Sequence, residues 1–196
     1  MSEFASIRDH DDGSVATLNV LPRDKQLAHD LRGTLIHECG HLIVGDHVGV
    51  EKSYVDLWLH EDAAPLDEKL VLGRAFYFPR LRGRNEQLMG VAGIVAESLA
   101  ENLTVEEYFC SWTLLDNIDN DRDALSATDL KKAGEIDMAL LDECAGILRR
   151  HWPDLIAEAV HQLEHFVKRY ADDEDVAKAA SFVRVELEKI ASRFQS

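Results

Sequence analysis

Two histidines and a glutamate form the most chemically informative pattern in the chain. His37 and His41 stand four residues apart, and Glu38 directly follows the first of them, which gives the order H-E-x-x-H. Side chains four residues apart on a helix share one face, so both imidazoles could reach a single ion. A Zn²⁺ ion bound there would polarise a water molecule, and Glu38 would take a proton from it. The spacing therefore predicts zinc-dependent hydrolysis, with His37 and His41 as metal ligands and Glu38 as the general base.

The residues around this pattern are apolar on almost every side. These neighbours are Ile36, Cys39, Leu42, Ile43 and Val44. Two imidazoles and a carboxylate in such surroundings need partners, because burying polar groups without them is costly. A metal would satisfy all three groups together. The alternative is a pair of core histidines that hydrogen-bond to backbone carbonyls.

A second pattern of the same residue types occurs near the C-terminus. His161, Glu164 and His165 follow the order H-x-x-E-H, which is the inverted form of the zinc motif. The apolar residues of this segment, such as Leu163 and Phe166, form a stripe on the opposite face of the expected helix. We therefore expect these three polar residues to lie on a solvated face rather than in a catalytic site.

Hydrophobic periodicity predicts an α+β chain that is mostly α-helical. Ser53–Leu59 alternates between apolar and polar residues, and Ala75–Phe78 is a short aromatic run, so both are predicted strands. The predicted helices are Arg23–Asp46, Asn85–Asn102, Thr128–Arg150, Pro153–Tyr170 and Glu174–Ser192, with an acidic loop over Asp116–Asp123. Together these elements indicate a small two-stranded β unit packed beside the H-E-x-x-H helix.

Charge and composition exclude several classes of function. The 196 residues carry 37 acidic and 21 basic side chains, a formal charge of −16, which argues against nucleic acid or an anionic membrane as partner. No apolar run is long enough to span a bilayer, and no secretory leader is recognisable. Cys39, Cys110 and Cys144 are too far apart and too few for a disulfide scaffold. We expect a cytoplasmic protein without membrane or nucleic-acid partners.

Four segments in the same order resemble the peptidase domain of the FtsH-type (AAA+) zinc metalloproteases. His37–His41 is similar to their H-E-A-G-H helix, and Gly73–Pro79 resembles their next strand. Ala92–Leu99 looks like their apolar G-G-R-A-A-E-E helix, and Thr128–Ala133 resembles their N-D-L-x-x-A-T motif. The resemblance implies a zincin-like helical domain with Zn²⁺ as cofactor. It also implies that Asp129 is the third zinc ligand, which leaves a fourth position for water.

The residue patterns outside the resemblance predict the two ends of the chain, and the resemblance implies the domain between them and its activity. Residues 1–22 would be a flexible arm, 23–150 the peptidase domain, and 151–196 a C-terminal helical hairpin packed on the same domain. The implied activity is a zinc-dependent endopeptidase that cleaves flexible or unfolded protein segments. Because the sequence contains no phosphate-binding G-x-x-x-x-G-K-[ST] loop, it has no ATPase of its own. The expected protein partners are therefore a separate unfoldase or further copies of the same chain in a homo-oligomer.

The residues leave the third ligand open. Asp129 also fits the acidic position of a helix capping box that begins at Ser126. The competing carboxylates are Glu97, Glu101, Asp119, Asp121 and Asp123. Glu97 is the strongest of them, because a carboxylate on an apolar helix also needs a partner.

Two other functions stay open beside the leading one. A regulatory ImmA/IrrE-type metallopeptidase, which acts on a repressor partner, would use Glu97 as its third ligand. A non-catalytic zinc-binding interaction protein would use its C-terminal helices as a partner surface. The predicted strand Ala75–Phe78 could likewise pair with an extended peptide substrate or be a purely structural hairpin.

Overall fold

The computed structural model describes residues 21–60, 69–101, 110–121 and 125–193, together with the backbone of two short N-terminal strands. In chain order the elements are β1 (Ala5–Arg8), β2 (Val15–Leu18), α1 (Arg23–His47), β3 (Lys52–Leu59), β4 (Val71–Phe78), α2 (Arg84–Glu101), α3 (Ser111–Asn120), α4 (Ala127–Ala133), α5 (Met138–Arg150), α6 (Trp152–Arg169) and α7 (Glu174–Arg193). Helices dominate, and a two-stranded antiparallel sheet accompanies α1. The prediction of a mostly helical α+β fold is therefore confirmed.

Helix α1 lies at the centre of the described structure. Helices α2, α5, α6 and α7 and the β3–β4 hairpin all pack against it, so its residues are buried on several sides. The absence of a side chain at Gly40 allows α2 to come close. A Cβ there would lie 2.7 Å from the Cβ of Ala96 and 2.8 Å from the carbonyl oxygen of Ala92. This close packing sets α2 directly beside the H-E-x-x-H face of α1.

The β3–β4 hairpin covers another side of the same helix. Its antiparallel register places Leu57 opposite Gly73. A Cβ at Gly73 would lie 2.7 Å from the side chains of both Thr34 and Glu38, so this glycine lets the hairpin rest on α1. Strand β4 begins at Val71, earlier than the predicted start at Ala75. Pairing with the full length of β3 supplies the extra residues, which the aromatic pattern does not reveal.

Two predicted boundaries are wrong. The helix expected over Thr128–Arg150 is broken into α4 and α5 at Gly134, whose φ of 64° ends α4 and lies in the left-handed region that favours glycine. Asp137 then starts α5, since its side chain accepts a hydrogen bond from the backbone N–H of Leu140. The expected acidic loop Asp116–Asp123 is also partly helical, because α3 continues to Asn120. Residues 122–124 lie outside the described part.

The sequence predicted the elements at one end of the chain but not those at the other. Strands β1 and β2 pair antiparallel within the region expected to be an arm, so this hairpin was missed, and the rest of residues 1–20 lies outside the description. Helices α6 and α7 match their predicted positions closely, and they pack against each other and against α1. None of the described helices has both the length and the apolar character required to cross a membrane.

Candidate metal centre

Three side chains from α1 and α4 meet at one point. The Nε2 atoms of His37 and His41 are 3.3 Å apart, and Oδ2 of Asp129 lies 3.6 Å from the first and 3.7 Å from the second. A point equidistant from these three atoms is about 2 Å from each, which is the usual bond length between zinc and nitrogen or oxygen ligands. The group could therefore hold a metal ion, and no residue of the described ranges supplies a fourth ligand.

The first turn of α4 positions Asp129. Ser126 caps this helix by accepting a hydrogen bond from the backbone N–H of Asp129, and its hydroxyl donates to Oδ2 of the same residue at 2.7 Å. A side chain at Gly90 would overlap the backbone of Ala133, so α4 approaches α2 very closely. Both interpretations of Asp129 thus apply at once, because its backbone belongs to a capped turn while its carboxylate faces the histidines.

Glu97 lies on the other side of His37. Its Oε1 is 2.6 Å from Nδ1, the ring nitrogen opposite to the one that faces Asp129. A histidine that binds a metal through Nε2 commonly donates its Nδ1–H to a carboxylate, which fixes the tautomer and the ring orientation. A side chain at Gly93 would overlap the His37 ring, so this glycine makes the space that the ring occupies. The geometry therefore gives Glu97 an orienting role.

The ring of His41 is held differently. It is 4% exposed, and its Nδ1 has no hydrogen-bond partner among the residues that the structure describes. Packing rather than a carboxylate therefore sets the orientation of this ring.

Lys132 neutralises the second oxygen of Asp129. Its Nζ lies 3.1 Å from Oδ1, while Oδ2 faces the two histidines. The ammonium group is also 5.3 Å from the centre of the Tyr77 ring on β4, so it links α4 to the hairpin. Sequence reasoning missed this residue. Its position three residues after Asp129 on a helix was the signal that could have revealed it.

Electrostatics make the three groups an ionic cluster. Burial lowers the pKa of the His37 ring, but the carboxylates of Asp129 and Glu97 outweigh that effect and raise this pKa to about 9. Burial raises the pKa of the Asp129 carboxyl, whereas His37 and His41 hold it far below its usual range. Without a metal, His37 therefore carries a proton between two carboxylates. A metal ion would take the place of that positive charge.

Glu38 lies beside this cluster and is 8% exposed. Its negative charge is one of the groups that raise the pKa of His37. Its side chain packs between α1 and Gly73 of β4. A carboxylate beside a metal site can accept a proton from a water molecule bound to the ion.

The remaining candidate carboxylates do not join the cluster. Glu101 is exposed at the end of α2, Asp119 is exposed on α3, and Asp121 is exposed just after α3. Asp123 lies outside the described residues. Among the carboxylates that the structure describes, only Asp129 completes a group of three with the two histidines.

The strand next to Glu38 has a backbone edge available for pairing. In the register of the hairpin, the backbone groups of Val71, Gly73, Ala75 and Tyr77 point away from β3. The carbonyl of Val71 accepts a hydrogen bond from Thr34 Oγ1, but those of the other three have no partner in the described ranges. The opposite edge of the hairpin is covered, since Arg169 and Tyr170 bind the backbone of β3.

Comparison with known proteins does not assign the chain to a family. A scan against models of known protein families matches none of them, and a search among curated proteins finds no significant match. The resemblance to FtsH-type peptidases therefore stays a prediction from the four sequence segments.

Proposed function

We propose that the protein is a zinc-dependent endopeptidase. The observation that carries the proposal is Glu38, a largely buried carboxylate that lies beside a group of three possible metal ligands. A structural metal site would be closed by four protein ligands, and it would have no use for an additional free carboxylate. The order H-E-x-x-H and the resemblance to FtsH-type peptidases support the same reaction.

The donor set favours zinc. Two imidazole nitrogens and one carboxylate oxygen at tetrahedral spacing suit a borderline-soft ion that accepts four ligands. Magnesium and calcium prefer more ligands, all of them oxygen. The third ligand in this proposal is Asp129 rather than Glu97, because Glu97 contacts the far nitrogen of His37.

The residues of the chain divide the work of hydrolysis. A bound zinc ion supplies Lewis acidity and lowers the pKa of its water. Glu38 would accept a proton from the attacking water and donate it to the amine as the peptide C–N bond breaks. Glu97 would hold the His37 ring so that its Nε2 atom faces a bound ion. Lys132 offsets the negative charge of Asp129.

The edge of β4 that does not pair with β3 supports a protein or peptide substrate. An extended chain can add to this edge as a further strand, and its carbonyl would then pass close to Glu38. Only a flexible or unfolded segment can adopt that conformation, because a folded protein has already used its backbone hydrogen bonds. The proposed substrates are therefore unstructured segments.

Substitution of Glu38 tests the proposal. We expect Glu38→Gln to keep the bound zinc and the fold but to reduce cleavage of a labelled, unfolded protein about 10²–10⁴-fold, since only the proton acceptor is lost. Glu51→Gln, which removes an exposed carboxylate before β3, is the control and should cleave at the parent rate. Zinc content and circular dichroism are measured on all three proteins.

Two outcomes would contradict the proposal. Equal cleavage by the parent and Glu38→Gln would remove Glu38 from the reaction. A parent protein with one bound zinc and no cleavage of any unfolded chain would instead support a non-catalytic zinc-binding interaction protein.

A further inference from the structure

A second pair of histidines lies on the outer face of α6. His161 and His165 are both exposed, as the amphipathic pattern predicts, and they are four residues apart. Their Nε2 atoms are 3.2 Å apart, and their rings meet edge to face with centres separated by 4.5 Å. This spacing is almost the same as the 3.3 Å between the Nε2 atoms of His37 and His41. The two helices therefore present the same pair of donor atoms.

The spacing suits two adjacent ligands of one ion. Two nitrogens bound at about 2.0–2.1 Å to a tetrahedral or square-planar ion are roughly 3.0–3.4 Å apart. A hydrogen bond between the two rings would give a similar distance. Such a bond contributes little on an exposed helix, because water competes for both groups. The pair is therefore open to a metal ion from solvent.

The acidic residue of this motif has another partner. Glu164 forms an ion pair with Arg184 of α7, with Oε1 of Glu164 3.3 Å from a guanidinium nitrogen of Arg184. This contact directs the carboxylate towards the neighbouring helix. No described carboxylate forms a three-ligand group with the two histidines. This pair thus has neither the third protein ligand nor the free base of the centre on α1.

We propose that His161 and His165 form a second, solvent-exposed metal site that binds without catalysing hydrolysis. The site takes divalent ions that prefer imidazole ligands, namely Cu²⁺, Ni²⁺ and Zn²⁺, and water completes their coordination. Affinity follows the general order in which Cu²⁺ exceeds Ni²⁺ and Zn²⁺, and Mg²⁺ does not bind. The net charge of −16 raises the local concentration of cations at the surface.

Nickel titration of the full chain tests this site independently of the centre on α1. The parent protein and the variants His161→Ala and His165→Ala are first given one equivalent of Zn²⁺ for the centre on α1 and dialysed to remove weakly held zinc. They are then titrated with Ni²⁺ alone by equilibrium dialysis. His29→Ala is the matched control, because His29 is exposed on α1 and has no histidine four residues away. Circular dichroism checks the fold of each variant. Mg²⁺ replaces Ni²⁺ in a parallel series.

Loss of chelation should be visible in both variants. The parent and His29→Ala should each bind one Ni²⁺ ion at this site. His161→Ala and His165→Ala should bind it at least about tenfold more weakly, because one imidazole alone has no chelating partner. Equal Ni²⁺ affinity in the parent and both variants would overturn the proposal. An equal loss in His29→Ala would also overturn it, since binding would then be spread over single surface histidines.

Discussion

Asp129 and Glu97 are both carboxylates that approach His37, but they contact opposite nitrogens of its ring. Asp129 Oδ2 faces Nε2 at 3.6 Å, and Glu97 Oε1 contacts Nδ1 at 2.6 Å. The first position is that of a metal ligand, and the second is that of a group that orients a ligand. The two residues should therefore affect metal binding to different degrees.

Substitution of these carboxylates by their amides should separate the two roles. We expect Asp129→Asn to weaken zinc binding more than about 100-fold, because a charged ligand is lost. Glu97→Gln should weaken it only about 10–100-fold, since the ligand remains but its orientation is less fixed. Competition with a chromophoric chelator measures both affinities. Asp119→Asn, on the exposed face of α3, is the control. A larger loss in Glu97→Gln than in Asp129→Asn would exchange the two assignments.

Glycines decide how closely the elements around the site approach one another. Gly40 brings α2 onto α1, Gly73 seats β4 on Glu38, and Gly93 leaves room for the ring of His37. A single methyl group at any of these positions would meet atoms that are packed on all sides, and overpacking typically costs about 1–3 kcal/mol. The site therefore depends on these close contacts between elements as well as on its ligands.

Gly93 provides the sharpest test of this dependence. We expect Gly93→Ala to displace the His37 ring, to abolish stoichiometric zinc binding and to lower the free energy of unfolding by about 1–3 kcal/mol. Gly33→Ala is the matched control, because a Cβ at this helical position meets nothing within 4 Å. It should raise that free energy by up to about 1 kcal/mol through higher helix propensity. Denaturant unfolding and zinc analysis measure both variants. Normal zinc content in Gly93→Ala would contradict the packing argument.

At the scale of the whole molecule, the candidate metal centre joins parts of the chain that are distant in sequence. Two of its possible ligands come from α1 and one from α4, and Glu97 adds α2 on the far side of the His37 ring. An ion at this point binds the folded chain only, because the unfolded chain does not hold the three atoms together. Metal binding should therefore be coupled to the stability of the fold.

Removal of the metal should lower the thermal stability of the protein. At a free zinc concentration of 100 times Kd, binding stabilises the folded state by about 2.7 kcal/mol. We expect chelation of zinc to lower Tm by several degrees, as measured by calorimetry with and without a chelator. The Asp129→Asn variant should show no comparable shift. An equal shift in this variant would place the stabilising zinc elsewhere in the molecule.

The sequence by itself determined the features that depend on neighbouring residues. The helical period puts His37 and His41 on one face, strand alternation marks β3, and the apolar stripe of α6 leaves His161 and His165 exposed. These features follow from side-chain directions within one element. They can therefore be predicted from the sequence without knowledge of any tertiary contact.

Only the tertiary structure decided which distant groups meet. Asp129 was suggested by resemblance and not by spacing, and the packing of α4 on α2 brings its carboxylate to the histidines. The packing of α2 on α1 assigns Glu97 to the far nitrogen of His37. The early start of β4 likewise depends on a partner strand. The physical reason is that these contacts arise from close approach between separate elements, and the periodicity of one segment carries no information about its neighbours in space.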